Sequence, residues 1–187
     1  METQVLIAPF HQHFIPQVKE FTDRWIGANY YSLQDLEETY QFSLKAGLNA
    51  SFIAFKGDDI AAIRLTYAPG NWLKKTQGMT PEKWKCQQEK VGYFKSLFVS
   101  QDYQSQGIGS ALSKKSIEVL KEMGAKGIIC HSWLESPENS SQKYLSKMGF
   151  YKIKDHPYFW HAVDYECTRC KINRCVCTAQ EMLKEIG

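Results

Sequence analysis

The sequence predicts an α/β (α+β) fold. Short runs of β-branched and aromatic residues alternate with amphipathic stretches of helical period, and four of those stretches stop at a glycine: Gly27, Gly47, Gly124 and Gly149. One strand-like run, Val91 to Val99, breaks toward two glycines, Gly107 and Gly109, as a long helical pattern begins. A hydrophobic fraction of 43% over 187 residues suits one domain with a full core.

The elements follow in order. QVLIAPF (4 to 10) is a β-prone run, and HQHFIPQVKEFTDRWIG carries Phe14, Ile15, Val18, Phe21, Trp25 and Ile26 at helical spacing, ended by Gly27. Ser32 is placed to cap a second helix, LQDLEETYQFSLKAG, in which Leu33, Leu36, Tyr40 and Leu44 share a side and Gly47 is the stop. SFIAFK, the turn GDD and IAAIRLTYA read as a hairpin. Residues 69 to 90 are too many for a bare loop, and Thr80-Pro81-Glu82 reads as the cap and first turn of a short helix from Pro81 to Gln88. Beyond the strand 91 to 99 and the glycine turn, a helix runs to Met123 with Ile108, Leu112, Ile117 and Leu120 as its buried stripe, closed by Gly124. KGIICHSWLE is a strand and SPENSSQKYLSKM a helix ending at Gly149. FYKIK and YFWHAVDYE are expected as the last two strands before a tail helix. No internal repeat and no low-complexity segment is visible.

Composition excludes several partners. The net charge of +3 arises from 23 basic and 20 acidic residues mixed along the chain, so no single-sign block marks a nucleic-acid tract or a membrane-binding helix. No basic segment followed by a sustained apolar one opens the sequence, and no later stretch has the apolar length of a bilayer span. A cytoplasmic monomer or homodimer with no membrane or nucleic-acid partner is expected.

A strand that gives way to glycines at a helix start leaves backbone N–H groups pointing out of the helix N-terminus. The helix dipole adds positive potential, and glycines let an anion approach the main chain, so the turn has the chemistry of a phosphate cradle. A tight turn that merely needs positive φ would look the same. A Walker loop requires Gly-Lys-Ser/Thr, and GIGSAL has no lysine. A dinucleotide fingerprint wants a small residue where Leu112 stands, although Glu135 ends the next strand about where a ribose-binding acid falls.

A third pattern fits better. LFVSQDYQSQGIGSAL resembles the acetyl-CoA signature of the GCN5-related N-acetyltransferases (GNAT), an L-x-V strand followed by Gln/Arg-x-x-Gly-x-Gly/Ala, which Leu97, Val99, Gln104, Gly107 and Gly109 match. Downstream, ENSSQKYLSKMGFYKI resembles that family's next motif, a helix ending in Gly-Phe and entering a strand. The resemblance implies a mixed central sheet with helices on both faces, whose fourth and fifth strands (91 to 99 and 127 to 134) are parallel and splay apart. It also implies an N-acetyltransferase that holds the acetyl-CoA pantetheine against Leu97, Phe98 and Val99. The pyrophosphate would lie on the N–H groups of Gln104, Ser105, Gln106, Gly107, Ile108, Gly109 and Ser110.

Acetyl transfer to an amine needs the neutral amine, a route for its proton and stabilisation of an oxyanion. A lysine-like amine, with pKa about 10.4, is mostly protonated at neutral pH. In the histone-modifying branch of the family a glutamate on the fourth strand is the base, and its position here holds Tyr93. Glu135, ending the fifth strand, is the first candidate base and His131 the second, against the blander readings of a solvated acid beside a helix start and a packed or hydrogen-bonded histidine. Many members place the acid that protonates the leaving thiolate four residues before the Gly-Phe glycine. Leu145 occupies that slot, with Tyr144 beside it and turned by about 100°. The acceptor, a small-molecule or peptide amine, is expected to touch residues 69 to 90, with Trp72 and Trp84.

Four of the six cysteines crowd together in CTRCKINRCVC. Cys167, Cys170, Cys175 and Cys177 have the spacing of one tetrahedral site, read as structural zinc before iron–sulfur, with Arg169, Lys171 and Arg174 beside it to offset a net charge of about minus two. The expected organisation is a transferase domain over residues 1 to 166 and a zinc-binding appendage with a tail helix over 167 to 187, stapling the tail to the sheet edge. A non-catalytic acyl-CoA-binding module whose zinc tail docks a protein or nucleic acid is the alternative.

Overall fold

The structure, a computed structural model describing residues 4–73, 77–172 and 174–187, is organised on a seven-stranded sheet. In chain order its elements are β1 (Val5–Pro9), α1 (Ile15–Trp25), α2 (Leu33–Ser43), a small hairpin of β2 (Leu44–Lys45) and β3 (Leu48–Asn49), β4 (Phe52–Lys56) and β5 (Asp59–Tyr67). Then come β6 (Val91–Val99), α3 (Ile108–Glu122), β7 (Gly127–Trp133), α4 (Ser140–Lys147), β8 (Tyr151–His156) and β9 (Ala179–Glu185). The sheet order is β1-β4-β5-β6-β7-β9-β8. Its pairings are antiparallel except that of β6 with β7, which is parallel. The expected mixed sheet with helices on both faces is the one observed.

Alternation along the strands sorts side chains to two cores. Ile53, Phe55, Ile63 and Leu65 pack with Val18, Phe21 and Leu36 of α1 and α2, while Phe52, Ala54 and Ala62 meet Ile108 and Leu112 of α3 on the opposite face. Farther along the α3 side, Leu120 and Leu145 cover Phe94, Ile128 and Met182. The cap at Ser32 is a full capping box: its Oγ accepts from Asp35 N–H at 3.0 Å and the Asp35 carboxylate accepts from Ser32 N–H at 2.9 Å.

Five expectations are corrected, the last of them in the tail. Helix α2 ends at Ser43, and Gly47 turns the β2–β3 hairpin with φ of 78° instead of stopping the helix. The helix expected from Pro81 to Gln88 is two 3₁₀ turns, Pro81–Lys83 and Gln88–Lys90, because Trp84 is extended (ψ 145°) and its indole N–H is drawn to buried Glu181. Thr80 likewise makes no cap bond; its hydroxyl goes to Glu181. YFWHAVDYE is a series of turns, with Tyr158 at φ of 57°.

The largest correction is the tail. AQEMLKE is composed of good helix formers, yet it is strand β9, bonded to β7 on one side and β8 on the other. Backbone pairing on both edges overrides a per-residue preference of a few tenths of a kcal/mol. The cysteine-rich segment is therefore an excursion between two neighbouring strands, and the tail lies within the sheet instead of at its edge. No described helix is long and apolar enough to cross a membrane.

Candidate active site

Strands β6 and β7 pair from Val91–Gly127 to Phe94–Cys130 and then part. A bulge opens them: on β5, Leu65 faces Ser96 and Thr66 faces Phe94, so Lys95 is an extra residue that bends β6 away from β7. Past it, β6 stays bonded to β5 through Val99, leaving its other edge without a strand. The gap is a cavity of about 720 Å³, lined among others by Leu97, Phe98, Val99, Gln104 and Ser105, by His131 of β7 and by Tyr144 of α4.

The turn at its mouth has the geometry of an anion cradle. Ser105 (φ 62°) and Gly107 (φ 77°) are both left-handed, and α3 starts at Ile108 with no side-chain cap. Ala111 N–H is the first of the helix to reach an acceptor, Gly107 O at 3.0 Å, so the N–H groups of Ile108, Gly109 and Ser110 have no intrahelical partner. A Cβ on Gly109 would sit 3.3 Å from Leu97 and 3.4 Å from Val99, so this glycine permits the close approach of α3 to β6. Gln104 and Gln106 brace the loop from within, donating to Val99 O at 3.2 Å and Asp102 O at 3.3 Å.

Tyr144 and Leu145 both line this cavity, Leu145 buried in the core beneath it and Tyr144 half-buried with its hydroxyl hydrogen-bonded. The Tyr144 hydroxyl lies 3.0 Å from Gly109 O and 2.8 Å from Ser113 Oγ. Arg64 Nε and Nη2 both donate to Ser113 Oγ, at 3.1 and 2.8 Å. With its lone pairs so engaged, Ser113 is left to donate to Tyr144, which donates on to Gly109 O. Arg64 is buried, stacks over Phe94 at 4.1 Å and lines the cavity. Burial pulls its pKa below the ordinary arginine value.

On the other side, His131 is a hydrogen-bonded hub. The Gly78 carbonyl can only accept, so Nε2 carries the hydrogen and Nδ1 accepts the Tyr93 hydroxyl at 2.9 Å. Burial lowers the His131 pKa to about 4, so the ring is neutral. Tyr93 is itself buried, and desolvation raises its pKa well above 10. Opposite His131 in the ladder stands Glu181, whose carboxylate accepts from Thr80 N–H (2.9 Å), Thr80 Oγ1 (2.6 Å) and Trp84 Nε1 (2.8 Å) and contacts His156 Nε2 (2.9 Å). Segment 69–90 is thus clamped onto β9; its residues 74–76 lie outside the described residues. Glu135 stands apart from this group, with both carboxylate oxygens 3.0 Å from Thr178 N–H.

The sulfurs of Cys167, Cys170, Cys175 and Cys177 all lie within 4.8 Å of one another, Cys170 being 4.0 Å from Cys175 and 3.4 Å from Cys177. A zinc–thiolate tetrahedron with bonds of about 2.3 Å has edges near 3.8 Å, so this donor set fits zinc and is too open for disulfides. The N–H groups of Arg169 and Cys170 turn inward to Cys167 Sγ. Arg174 donates to His161 O at 3.3 Å, tying the excursion to itself.

Sequence reasoning missed Arg64, Ser113 and Glu181. An arginine inside the apolar strand IAAIRLTYA was a usable signal, whereas Glu181 was concealed in a helix-forming segment.

A family model described as "Acetyltransferase (GNAT) family" matches residues 17–150. A search of curated proteins finds no match. Among solved structures, the chain resembles the ribosomal-protein-S18-alanine N-acetyltransferase from Escherichia coli (TM-score 0.68, 14% identity, 98% of this chain and 95% of that one). It also resembles Naa50 of Arabidopsis thaliana in complex with the bisubstrate analogue CoA-Ac-MVNAL (0.68, 16%, 97% and 99%) and arylalkylamine N-acetyltransferase 2 from Aedes aegypti (0.64, 16%, 98% and 100%). An opened parallel pair of strands, a bare helix start at its mouth and a family model spanning both place this chain in the GNAT acetyltransferase family, as an acyltransferase.

Proposed function

We propose that this protein is an acetyl-CoA-dependent N-acetyltransferase acting on a primary amine. The observation that carries the reading is the unpaired edge of β6 beyond Lys95, ending at the uncapped N-terminus of α3. Pantetheine amides extend the ladder at Leu97 to Val99, and the diphosphate sits on the N–H groups from Ser105 to Ser110. A fold shared with Naa50, which was solved with a CoA-linked peptide, supports this placement.

The amine nitrogen attacks the thioester carbon, and the carbon–sulfur bond breaks as the tetrahedral oxyanion collapses. The amine proton leaves by way of the Tyr93 hydroxyl and His131 Nδ1, and because burial disfavours the charged ring the proton is passed on to solvent and not retained there. Tyr144, positioned by Ser113 and Arg64, protonates the departing thiolate once its hydroxyl hydrogen turns from Gly109 O to the sulfur. Glu135, engaged with Thr178, takes no part in the proton transfer.

Acetyl-CoA should raise the melting temperature by mass action, and Gly107→Val should remove the rise. Beyond its chain neighbours, no atom of the described residues lies within 4 Å of a Cβ at Gly107, but a β-branched residue at φ of 77° is strained by about 1–2 kcal/mol and will swing the cradle N–H groups away. An undiminished shift in the variant would remove the cradle from the argument. CoA release that depends on added amine separates the enzyme from a non-catalytic acyl-CoA-binding module.

We assign structural zinc to the four cysteines. Elemental analysis of protein purified without added metal should find one zinc per chain, and Cys170→Ser should lose it. Iron, or four freely titrating thiols, would overturn the assignment.

A further inference from the structure

Arg64 is a charge set in the middle of the sheet. It is 3% exposed, and among the described residues it enters no ion pair. Its partners are the Ser113 hydroxyl and the face of Phe94, whose ring centroid lies 4.1 Å from the guanidinium carbon. An arginine stays protonated, and a buried cation without a counter-charge is costly. A hydroxyl and a ring offset that cost only in part; an anion brought to the cavity that Arg64 lines would complete it.

The place of the guanidinium decides which anion. On β5 the Arg64 backbone stands opposite Leu97, yet the side chain ends over Phe94, so it runs past the Lys95 bulge at which β6 and β7 part. The diphosphate cradle is the first turn of α3, and Ser113 lies a turn farther along. Two hydrogen bonds of 2.8 Å in series, Arg64 to Ser113 and Ser113 to Tyr144, lead from the cation to the hydroxyl that serves the departing sulfur. The negative charge that arises there is the thiolate. A neutral donor could position Tyr144 equally well, but it lacks the field of a full charge, which is strong in a cavity sheltered from water.

We propose that Arg64 is the electrostatic partner of the CoA thiolate. When the carbon–sulfur bond breaks, its electron pair goes to sulfur near this cation. After Tyr144 gives up its proton the charge passes to the tyrosine oxygen, within the same field, until solvent returns a proton. The inference rests on the acetyl-transfer reading above. The test titrates the thiol of CoA bound to the protein, following the ultraviolet absorbance of the thiolate against the complex with desulfo-CoA. The bound thiol should titrate about 1 pH unit or more below free CoA, an increase of about tenfold in its ionisation constant. Arg64→Met should return the midpoint to that of free CoA and lower kcat about tenfold, with acetyl-CoA affinity within about threefold. Its melting temperature should hold or rise, since an apolar chain of similar length carries no desolvation cost. Arg64→Lys, which keeps the charge and loses the fork, should keep a midpoint below that of free CoA. A bound thiol that titrates like free CoA in the unaltered protein, or a midpoint equally low in Arg64→Met, overturns the proposal. So does succinyl-CoA binding about tenfold tighter than acetyl-CoA in the unaltered protein but not in Arg64→Met, which would assign the charge to a carboxylate on the acyl group. Failure of the unaltered protein to bind CoA is a separate result, and removes the acetyl-transfer reading itself.

Discussion

Glu181→Ala is expected to lower the unfolding free energy by about 3–5 kcal/mol, read from urea denaturation at neutral pH. The carboxylate is fully buried, and its loss leaves Thr80 N–H, Thr80 O–H, Trp84 N–H and His156 without their acceptor at once. Burial alone would push its pKa up, but the donors from Thr80, His156 and Trp84 outweigh this and hold it below the ordinary 4.5. Its contribution is therefore complete above that value and disappears as pH falls through the lower folded one. His131 acts in the same direction over a higher range. The unfolded chain takes up its proton near pH 6.5 while the folded chain refuses it down to about 4, so stability declines through that interval on acidification. A loss below about 1 kcal/mol for Glu181→Ala, the worth of one ordinary hydrogen bond, would show that the clamp is not structural.

His131→Ala should reduce turnover by about a hundredfold or more, the effect of removing a positioned proton acceptor. Tyr93→Phe should fall between His131→Ala and the unaltered enzyme, since water can take the place of its hydroxyl. Because His131 titrates at about 4 in the free protein, kcat/KM should show no acid limb near 6.5 and should rise toward alkaline pH as the acceptor amine loses its proton. Glu135→Gln should retain turnover, its carboxylate being occupied with Thr178. A hundredfold drop in Glu135→Gln with full activity in His131→Ala would reverse these roles.

The turn at the mouth of the cavity was legible because its conformation is largely local. Gly107 takes a left-handed φ of 77° at the uncapped start of α3, and Gly109 lets that helix approach Leu97 and Val99. The cysteine cluster was legible for the same reason, its four sulfurs lying within eleven positions of chain. What the sequence did not disclose is non-local. His131 is kept neutral by burial, which outweighs the opposite pull of the Gly78 carbonyl, while Gly78 and Tyr93, from separate segments, fix its tautomer. Tyr144 lines the cavity together with Leu145, which holds the family slot, because the register of a helix on its sheet is a tertiary property. AQEMLKE reads as helix in isolation and becomes strand only when β7 and β8 offer it two edges.

That last strand has a consequence for how the chain is made. Strand β9 enters between β7 and β8, both of which precede it in sequence, with the cysteine excursion delivering it there. As the polypeptide leaves the ribosome, residues 127–133 and 151–156 therefore wait with exposed edges until residue 185 has been synthesised. The half-built sheet is an intermediate with two sticky borders, open to pairing with another nascent copy. Capture of metal by Cys167 to Cys177, which emerge just before β9, would fix the direction from which the strand arrives. Metal supply during synthesis would then govern the yield of properly closed protein, and not only the stability of the finished one.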